Sequence, residues 1–270
     1  MKAWISFPKT LLVQELIENF WFLERPQGID LHTAPKLLPN PSANLIFTPI
    51  NQINHYVSSS GEVDIKGAHC IGPLSECIMM SHAHKQKFLG LKLRPGALKV
   101  FDFSRNNQQL NKITGLPNAF SELSLKANMS SSDPKIVDWL EKELIMIFDQ
   151  VKIMNSYKRI QQVITTLDSS QSLSTTLPFS RRTLERDFLK YTGFRTSQYL
   201  ACRKLEKLMT DIVKHGEKEP SWSELAFQHG YSDQSHMIRQ VKKALGRTPS
   251  AHFGIKDAVS DVYGGLFLKK

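Results

Sequence analysis

The sequence predicts an α+β protein of two domains, and three observations lead to this class. Short runs of β-branched and aromatic residues, separated by Pro, Gly and polar turns, fill the first half of the 270 residues. From Tyr157 onward, helical periodicity runs with few interruptions. The excess of basic residues also lies in that second stretch. We therefore predict an N-terminal domain at 1–150, an all-α domain at 156–255 and a C-terminal tail at 256–270.

The charge distribution separates the two halves. Residues 1–155 carry 16 Lys and Arg against 14 Asp and Glu, whereas residues 156–256 carry 17 against 9. A basic surface confined to one segment is the expected footprint of a phosphate-binding domain. A solvated basic surface without a polyanionic partner is the alternative, and charge by itself does not decide between them.

The composition indicates a cytoplasmic protein that does not contact a membrane. No apolar run approaches the roughly 20 residues that a membrane span needs. The N-terminal stretch mixes acids and polar residues into its apolar run, so we expect no signal peptide. The cysteines Cys70, Cys77 and Cys202 are an odd and sparse set, which argues against a disulfide scaffold.

The first half reads as short strands followed by helices. The segment 11–22 is predicted to be a short helix or a helix–strand element. Strands are predicted at 44–50, 55–58, 63–65, 77–81 and 88–93, and helices at 97–103 and 118–125. Several short strands at close spacing favour a small β-barrel or a sandwich-like sheet within a mixed α/β domain. A further helix should begin at Asp133-Pro134, an N-cap acid followed by proline, and a linker should follow at 149–156.

The second half is predicted to be almost wholly helical. The expected helices are 157–167, 171–176, 180–191, 196–214, 222–229 and 232–245. Glycines 193, 216, 230 and 246 each stand close after one of these helices, where a left-handed C-terminal residue is needed.

Two stretches of this half, 173–193 and 224–246, follow one plan of a short helix, a tight turn and a longer helix. Ser180 and Ser232 are placed to cap the longer helices, which fixes where each begins. Each longer helix then has an apolar side and an opposite side of long hydrogen-bond donors. A solvated face on an ordinary amphipathic helix is the alternative for either one, and the duplication weighs against it.

The donor side fits the edges of DNA bases. Arginine offers a fork that matches guanine in the major groove, and glutamine can pair with adenine. The predicted DNA-binding residues are Ser180, Arg181, Arg182, Glu185, Arg186, Ser232, Gln234, Ser235, His236, Arg239, Lys242 and Lys243. We expect Arg182, Arg186, Gln234 and Arg239 to read bases, and Lys242 and Lys243 to contact phosphates. Glu185 could accept from cytosine or brace Arg186.

These residues carry a resemblance to a known family. ELAFQHGYSDQSHMIRQVKKALGRTPSAHF, which begins at Glu224, closely resembles the second helix-turn-helix of the AraC family of bacterial transcription regulators. LSTTLPFSRRTLERDFLKYTGFRTSQYL, which begins at Leu173, resembles the first, with its Ser-Arg-Arg-x-Leu-x-Arg-x-Phe pattern. Ser174 and Pro178 depart from the small residue and the glycine usual there, which predicts a rebuilt first turn.

The resemblance implies a geometry and a function. A long helix at 196–214 would hold both recognition helices on one side, so that they enter successive major grooves about 34 Å apart. One chain could then read double-stranded DNA without a palindrome. A sequence-specific transcription regulator that is not an enzyme and needs no cofactor follows as the expectation.

The N-terminal half resembles a domain of undescribed function that precedes AraC-type DNA-binding domains, through residues 68–101 and 37–47. In the broader family such domains sense small molecules, dimerise or do both. A small-molecule effector of unknown identity, a homodimer and contact with RNA polymerase are therefore open possibilities.

A metal-binding or enzymatic barrel fused to a DNA-binding tail is the alternative function. His82 and His84 alternate, so a strand would place both on one face. The glutamate that usually follows is missing, and polar residues on an exposed strand are the commoner explanation. We assign no catalytic or metal-binding residue. Arg94 is a candidate anion anchor or a partner of Asp102.

Overall fold

The computed structural model describes residues 2–25, 36–81, 86–101, 110–123, 133–150, 153–169, 180–215, 220–245 and 248–252. Several predicted features lie outside these ranges. They are the helix 171–176, Ser174, the turn at Pro178, His82 and His84, Asp102, Gly216, Gly246 and the tail at 256–270.

The described part of the N-terminal half is built on antiparallel strands. Their bounds are β1 Lys2–Ser6, β2 Ile17–Arg25, β3 Lys36–Leu37, β4 Asn44–Phe47, β5 Ile53–Ser58, β6 Gly61–Lys66, β7 His69–Ile71, β8 Ile78–Ser81, β9 Gln86–Leu93 and β10 Ile113–Gly115. They form a six-stranded sheet in the order β1-β2-β9-β4-β7-β10 and a four-stranded sheet in the order β3-β8-β5-β6.

The two sheets face each other over an apolar core. Trp21, Ile46 and Phe88 of the six-stranded sheet share this cluster with Tyr56 and Met80 of the four-stranded sheet. Among the described residues neither sheet closes on itself, so there the sandwich is found and a closed barrel is not. An α+β fold with a sheet-rich N-terminal half and a helical C-terminal half is confirmed.

The predicted strands are found with shifted ends, and the segment 11–22 is the predicted helix–strand element. Its helix, α1, covers Leu11–Gln14 and runs into β2. The prediction missed β1, β3, β7 and β10. Three of these are only two or three residues long, and β1 is a largely exposed edge strand, so none shows a clear alternation.

The helices of the described chain follow the predicted order, and a short helix after the last predicted one was not expected. They are α2 Leu98–Phe101, α3 Ile136–Asp149, α4 Asn155–Asp168, α5 Arg181–Thr192, α6 Thr196–Lys214, α7 Trp222–Gln228, α8 Gln234–Leu245 and α9 Pro249–His252. A single 3₁₀ turn covers Asn118–Phe120. Helix α3 begins two residues after Pro134, and the Asp133 side chain accepts a hydrogen bond from the Lys135 amide at 2.9 Å.

The outer face of the six-stranded sheet packs against helices from both halves of the chain. Phe20 and Leu91 share a buried cluster with Tyr157 of α4, Phe188 of α5 and Tyr199 of α6. A hydrogen bond also crosses this contact: the Tyr157 hydroxyl donates to the Glu15 carbonyl at 2.8 Å. One face of α5 is therefore buried in the cluster that also contains residues of the N-terminal half.

Helices α7 and α8 form a separate core on the second half of α6. Leu208 and Met209 of α6 are buried there in one apolar cluster with Leu225, Met237 and Val241. From the N-terminal half, Leu38 is buried in this cluster too. No helix of the described ranges is both long and apolar enough to cross a membrane.

Candidate nucleic-acid interface

Helix α5, the first of the two predicted recognition helices, begins at the predicted cap. The Ser180 hydroxyl accepts a hydrogen bond from the Thr183 amide at 3.3 Å, and the helix ends at Gly193 with φ of 76°. Leu184 and Phe188 are buried on one side. The cap at Ser180 and the left-handed residue at Gly193 are thus as predicted.

The opposite side of α5 presents the predicted arginines. Arg181, Arg182 and Arg186 are exposed. The Arg186 side chain is 74% exposed, and its Nε lies 3.4 Å from Asp187 Oδ1. A pair this exposed is weak, so the guanidinium can leave it for a base or a phosphate.

Glu185 has a different position from the one expected. Its carboxylate accepts from the Thr196 hydroxyl at 2.5 Å and from the Thr196 amide at 3.4 Å. Thr196 is the first residue of α6, so Glu185 joins the recognition helix to the start of the long helix. Its carboxylate already has partners inside the protein, which leaves it less suited to cytosine.

Helix α8, the second of the predicted recognition helices, begins two residues later than predicted. Asp233 Oδ1 accepts from the His236 amide at 2.7 Å, whereas the Ser232 hydroxyl donates to Asp233 Oδ2 at 3.0 Å. The predicted cap at Ser232 is therefore corrected to Asp233, which Ser232 supports. These two donors hold the pKa of the Asp233 carboxyl below its ordinary 3.8.

The remaining candidates on α8 follow the predicted faces. Met237 and Val241 are fully buried. The exposed side carries Gln234, Ser235, Arg239, Lys242 and Lys243. His236 is half-buried, and its ring meets the Tyr231 ring edge to face with centroids 5.6 Å apart.

The corrected cap leads to a testable prediction. Asp233→Ala should lower the thermal midpoint and the DNA affinity more than Ser232→Ala, because it removes the acceptor itself. The pKa of Asp233 is lowered on folding, so this stabilisation is present above the unfolded-state value and is lost as the pH falls below about 4. Thermal unfolding at pH 7 and in acid measures both effects.

Asp233→Asn is the matched control, since asparagine caps about as well as aspartate. It should stay close to the parent chain at pH 7. An equal loss for Ser232→Ala and Asp233→Ala would contradict the assignment of the cap.

The turn before α8 is held by a residue that the sequence did not single out. Gly230 has φ of 66°, and Lys204 of α6 donates from Nζ to the Gly230 carbonyl at 2.8 Å. The same ammonium lies 4.7 Å from the centre of the Tyr231 ring. Lys204 thereby fastens the second helix-turn-helix to the long helix. Its position in a basic helix gave no signal that distinguished it from a solvated lysine.

The metal alternative finds no support in the described ranges. There, no group of three or more His, Cys, Asp or Glu side chains could hold a metal ion. Both ring nitrogens of His69 are engaged, with Gly67 O at 2.9 Å from Nδ1 and the Tyr56 hydroxyl at 2.7 Å from Nε2. Burial lowers the pKa of His69 to about 4 although the Gly67 carbonyl opposes the shift, so the ring is neutral. Arg94 donates from Nε to the Gln14 carbonyl at 2.5 Å.

Comparisons with known proteins agree with this geometry. Residues 173–253 match the family described as a helix-turn-helix domain. Residues 7–114 match the family described as a domain of unknown function, DUF6597. No curated protein matches the chain.

Solved structures of ToxT from Vibrio cholerae are similar in chain path. One is 9% identical with a TM-score of 0.48, and the match covers 94% of this chain and 99% of that one. Another, of ToxT bound to (E)-4-(8-methylnaphthalen-1-yl)but-3-enoic acid, is 8% identical with a TM-score of 0.47 and covers 94% and 99%. An unsaturated fatty acid bound ToxT is 10% identical with a TM-score of 0.42 and covers 85% and 94%.

The two family matches, and not these structures, identify the chain. Two capped helices with exposed arginines on one long helix define a DNA-binding protein of the helix-turn-helix class. Within that class the chain carries a helix-turn-helix domain of the AraC type at 173–253, behind a DUF6597 domain at 7–114.

Proposed function

We propose that the chain reads a DNA site with α5 and α8 together. The observation that carries this is their common attachment: Glu185 ties α5 to the start of α6, and Lys204 ties the turn before α8 to the middle of α6. The exposed basic faces of α5 and α8, both attached to the one long helix α6, suit two neighbouring major grooves. Arg182, Arg186, Gln234 and Arg239 are the proposed base readers.

We also propose that the chain divides into two domains and works in the cytoplasm. Domains at 1–150 and 156–255 accommodate both family matches. The chain acts on DNA in the cytoplasm and is not an enzyme. We also propose that the chain contacts RNA polymerase and forms a homodimer.

Titration against the DNA upstream of the protein's own gene tests the function. We expect the full chain to shift a fragment of that DNA at concentrations that leave random DNA of equal length unbound. The affinity should fall steeply with salt, because bound lysines and arginines release counterions. Equal binding to both DNAs would refute the function.

Arg239→Ala should weaken specific binding by about 1–3 kcal/mol and relax the preference at one base step. The reason is that we assign its exposed guanidinium to a base edge. Competition titration with duplexes substituted at single positions measures this.

Lys243→Ala is the matched control on the same helix. Because Lys243 is proposed to contact a phosphate, its removal should weaken binding to all DNA sequences equally. The slope of log affinity against log salt concentration should fall by about 1. Uniform weakening by Arg239→Ala as well would show that Arg239 contacts only phosphate.

A response to a small molecule is part of the proposal. A cleft of about 830 Å³ lies between the N-terminal half and α5, lined by Leu110, Lys112, Arg186, Asp187, Leu189, Lys190 and Gly193. Its volume suits a small ligand, and Arg186 stands in its wall, so an occupant would act on a proposed base reader. A thermal-shift screen of small metabolites tests it, because a ligand of the folded state raises the midpoint.

A further inference from the structure

A lysine lies buried where the six-stranded sheet meets the long helix α6. The Lys92 side chain, on β9, is only 1% exposed. Its Nζ lies 3.1 Å from Glu18 Oε1, on β2, and 3.4 Å from Glu206 Oε1, on α6. A buried ammonium of this kind is tolerated only beside opposite charges.

The charge network continues along α6. Glu206 Oε2 lies 2.5 Å from Arg203 Nη1, and Arg203 Nε lies 3.3 Å from Asp168 Oδ1 at the end of α4. The Tyr199 hydroxyl donates to the same aspartate at 3.2 Å. These groups connect the sheet to the long helix through alternating positive and negative charges.

Glu206 occupies a particular place on α6. Before it, Tyr199 and Cys202 are buried in the core that holds α5 and the N-terminal half. After it, Leu208 and Met209 are buried in the core that holds α7 and α8. The Lys92 contact therefore lies at the junction between the part of α6 that carries the first recognition helix and the part that carries the second.

We propose that Lys92 is a positioning residue for DNA reading: through Glu206 it fixes the setting of α6 on the sheet, and thereby the placement of α8 relative to α5. This inference rests on the proposed function, because it assigns the geometry that two-groove reading needs.

The physical reason is that the buried ion pair constrains the orientation of α6 on the sheet. Helix α5 is already fixed by apolar packing against the N-terminal half, whereas α8 is attached mainly through the second half of α6. Apolar contacts allow small rotations at little cost, but a buried ion pair keeps its full value in one geometry only. Without Lys92, the carboxylates of Glu18 and Glu206 would lose the cation that both of them contact.

Distance measurement tests the proposal without DNA. Spin labels at Lys190→Cys on α5 and Gln240→Cys on α8, both exposed positions, in a Cys77→Ser background report the separation of the recognition helices. We expect one narrow distribution in the otherwise native full chain. Lys92→Met and Glu206→Gln should each shift or broaden it.

DNA binding gives the second readout. On a duplex selected from a random pool by the native full chain, both variants should bind about tenfold more weakly, a typical size for coupling between sites. They should also discriminate less against duplexes with one base pair inserted at the centre of the selected site. Glu206→Gln keeps the side-chain shape and serves if Lys92→Met does not fold.

Lys9→Met is the matched control. It removes another long-range lysine–carboxylate pair, between Lys9 and Asp138 at 2.7 Å, that is exposed and includes no residue of α6. It should change neither readout. An unchanged distance distribution in folded Lys92→Met and Glu206→Gln would overturn the inference. If instead the native chain selects no sequence while the distances respond, the proposed function fails and the positioning by Lys92 holds.

Discussion

Gly90→Ala is expected to destabilise the protein by roughly 3 kcal/mol or more, the upper end of what overpacking a filled core costs. Gly90 lies in β9 directly opposite Trp21 of β2, and the indole covers the space where a side chain would be. A methyl group at position 90 would lie 1.8 Å from Trp21 Cε2. Trp21 is 1% exposed, so the ring has no space to move into.

Moving the indole would also break a hydrogen bond, since Trp21 Nε1 donates to Asn44 Oδ1 at 3.2 Å. Urea unfolding followed by circular dichroism measures the loss. Gly115→Ala is the control, because no atom lies within 4 Å of a methyl group added there.

A double-mutant cycle separates the steric cause from others. In a Trp21→Ala background, itself destabilised, Gly90→Ala should cost little, since the obstructing ring is gone. If Gly90→Ala costs the same with and without the indole, the close approach of Gly90 to Trp21 is not what limits the size of residue 90.

Phe188→Ala should lose about 3–5 kcal/mol of folding free energy, the usual cost of emptying a buried phenylalanine site. Phe188 is fully buried, and its ring meets Tyr199 edge to face with centroids 5.5 Å apart. It belongs to the cluster that α5 shares with the N-terminal half. The loss should therefore appear as unfolding of the whole chain and not of the helix-turn-helix region alone.

Leu189→Ala is the neighbouring control. Leu189 is 44% exposed, so its truncation should change stability by no more than about 0.5 kcal/mol. Urea unfolding read by circular dichroism, with limited proteolysis of the N-terminal half, measures both variants. A Phe188→Ala protein whose N-terminal half resists protease as well as the native one would show that α5 is not part of that core.

The helical half was predictable to within a residue or two at most ends. Helix α6 has its predicted bounds, Thr196–Lys214, because its periodicity and flanking residues are encoded in consecutive positions. The short strands β7 and β10 were not predictable, because three residues are too few to show a periodicity. Both strands also pair only with strands that are distant in the sequence.

The candidate site shows the same division. Ser180 was assigned correctly as a cap, whereas at the second helix two adjacent acceptors, Ser232 and Asp233, both fit the pattern. Which one meets the amide depends on where the turn at Gly230 directs the chain, and Lys204 of α6 helps to fix that turn.

The sequence by itself determined the α+β class, the order of the helices, the two duplicated motifs and their exposed basic faces. These follow from local periodicity, capping and charge, which neighbouring residues encode. Only the tertiary structure decided that one face of α5 is buried with the N-terminal core, that Trp21 covers Gly90, and that Lys92 lies between Glu18 and Glu206. Those contacts join residues far apart in the chain, and their energies depend on burial, which no local pattern specifies.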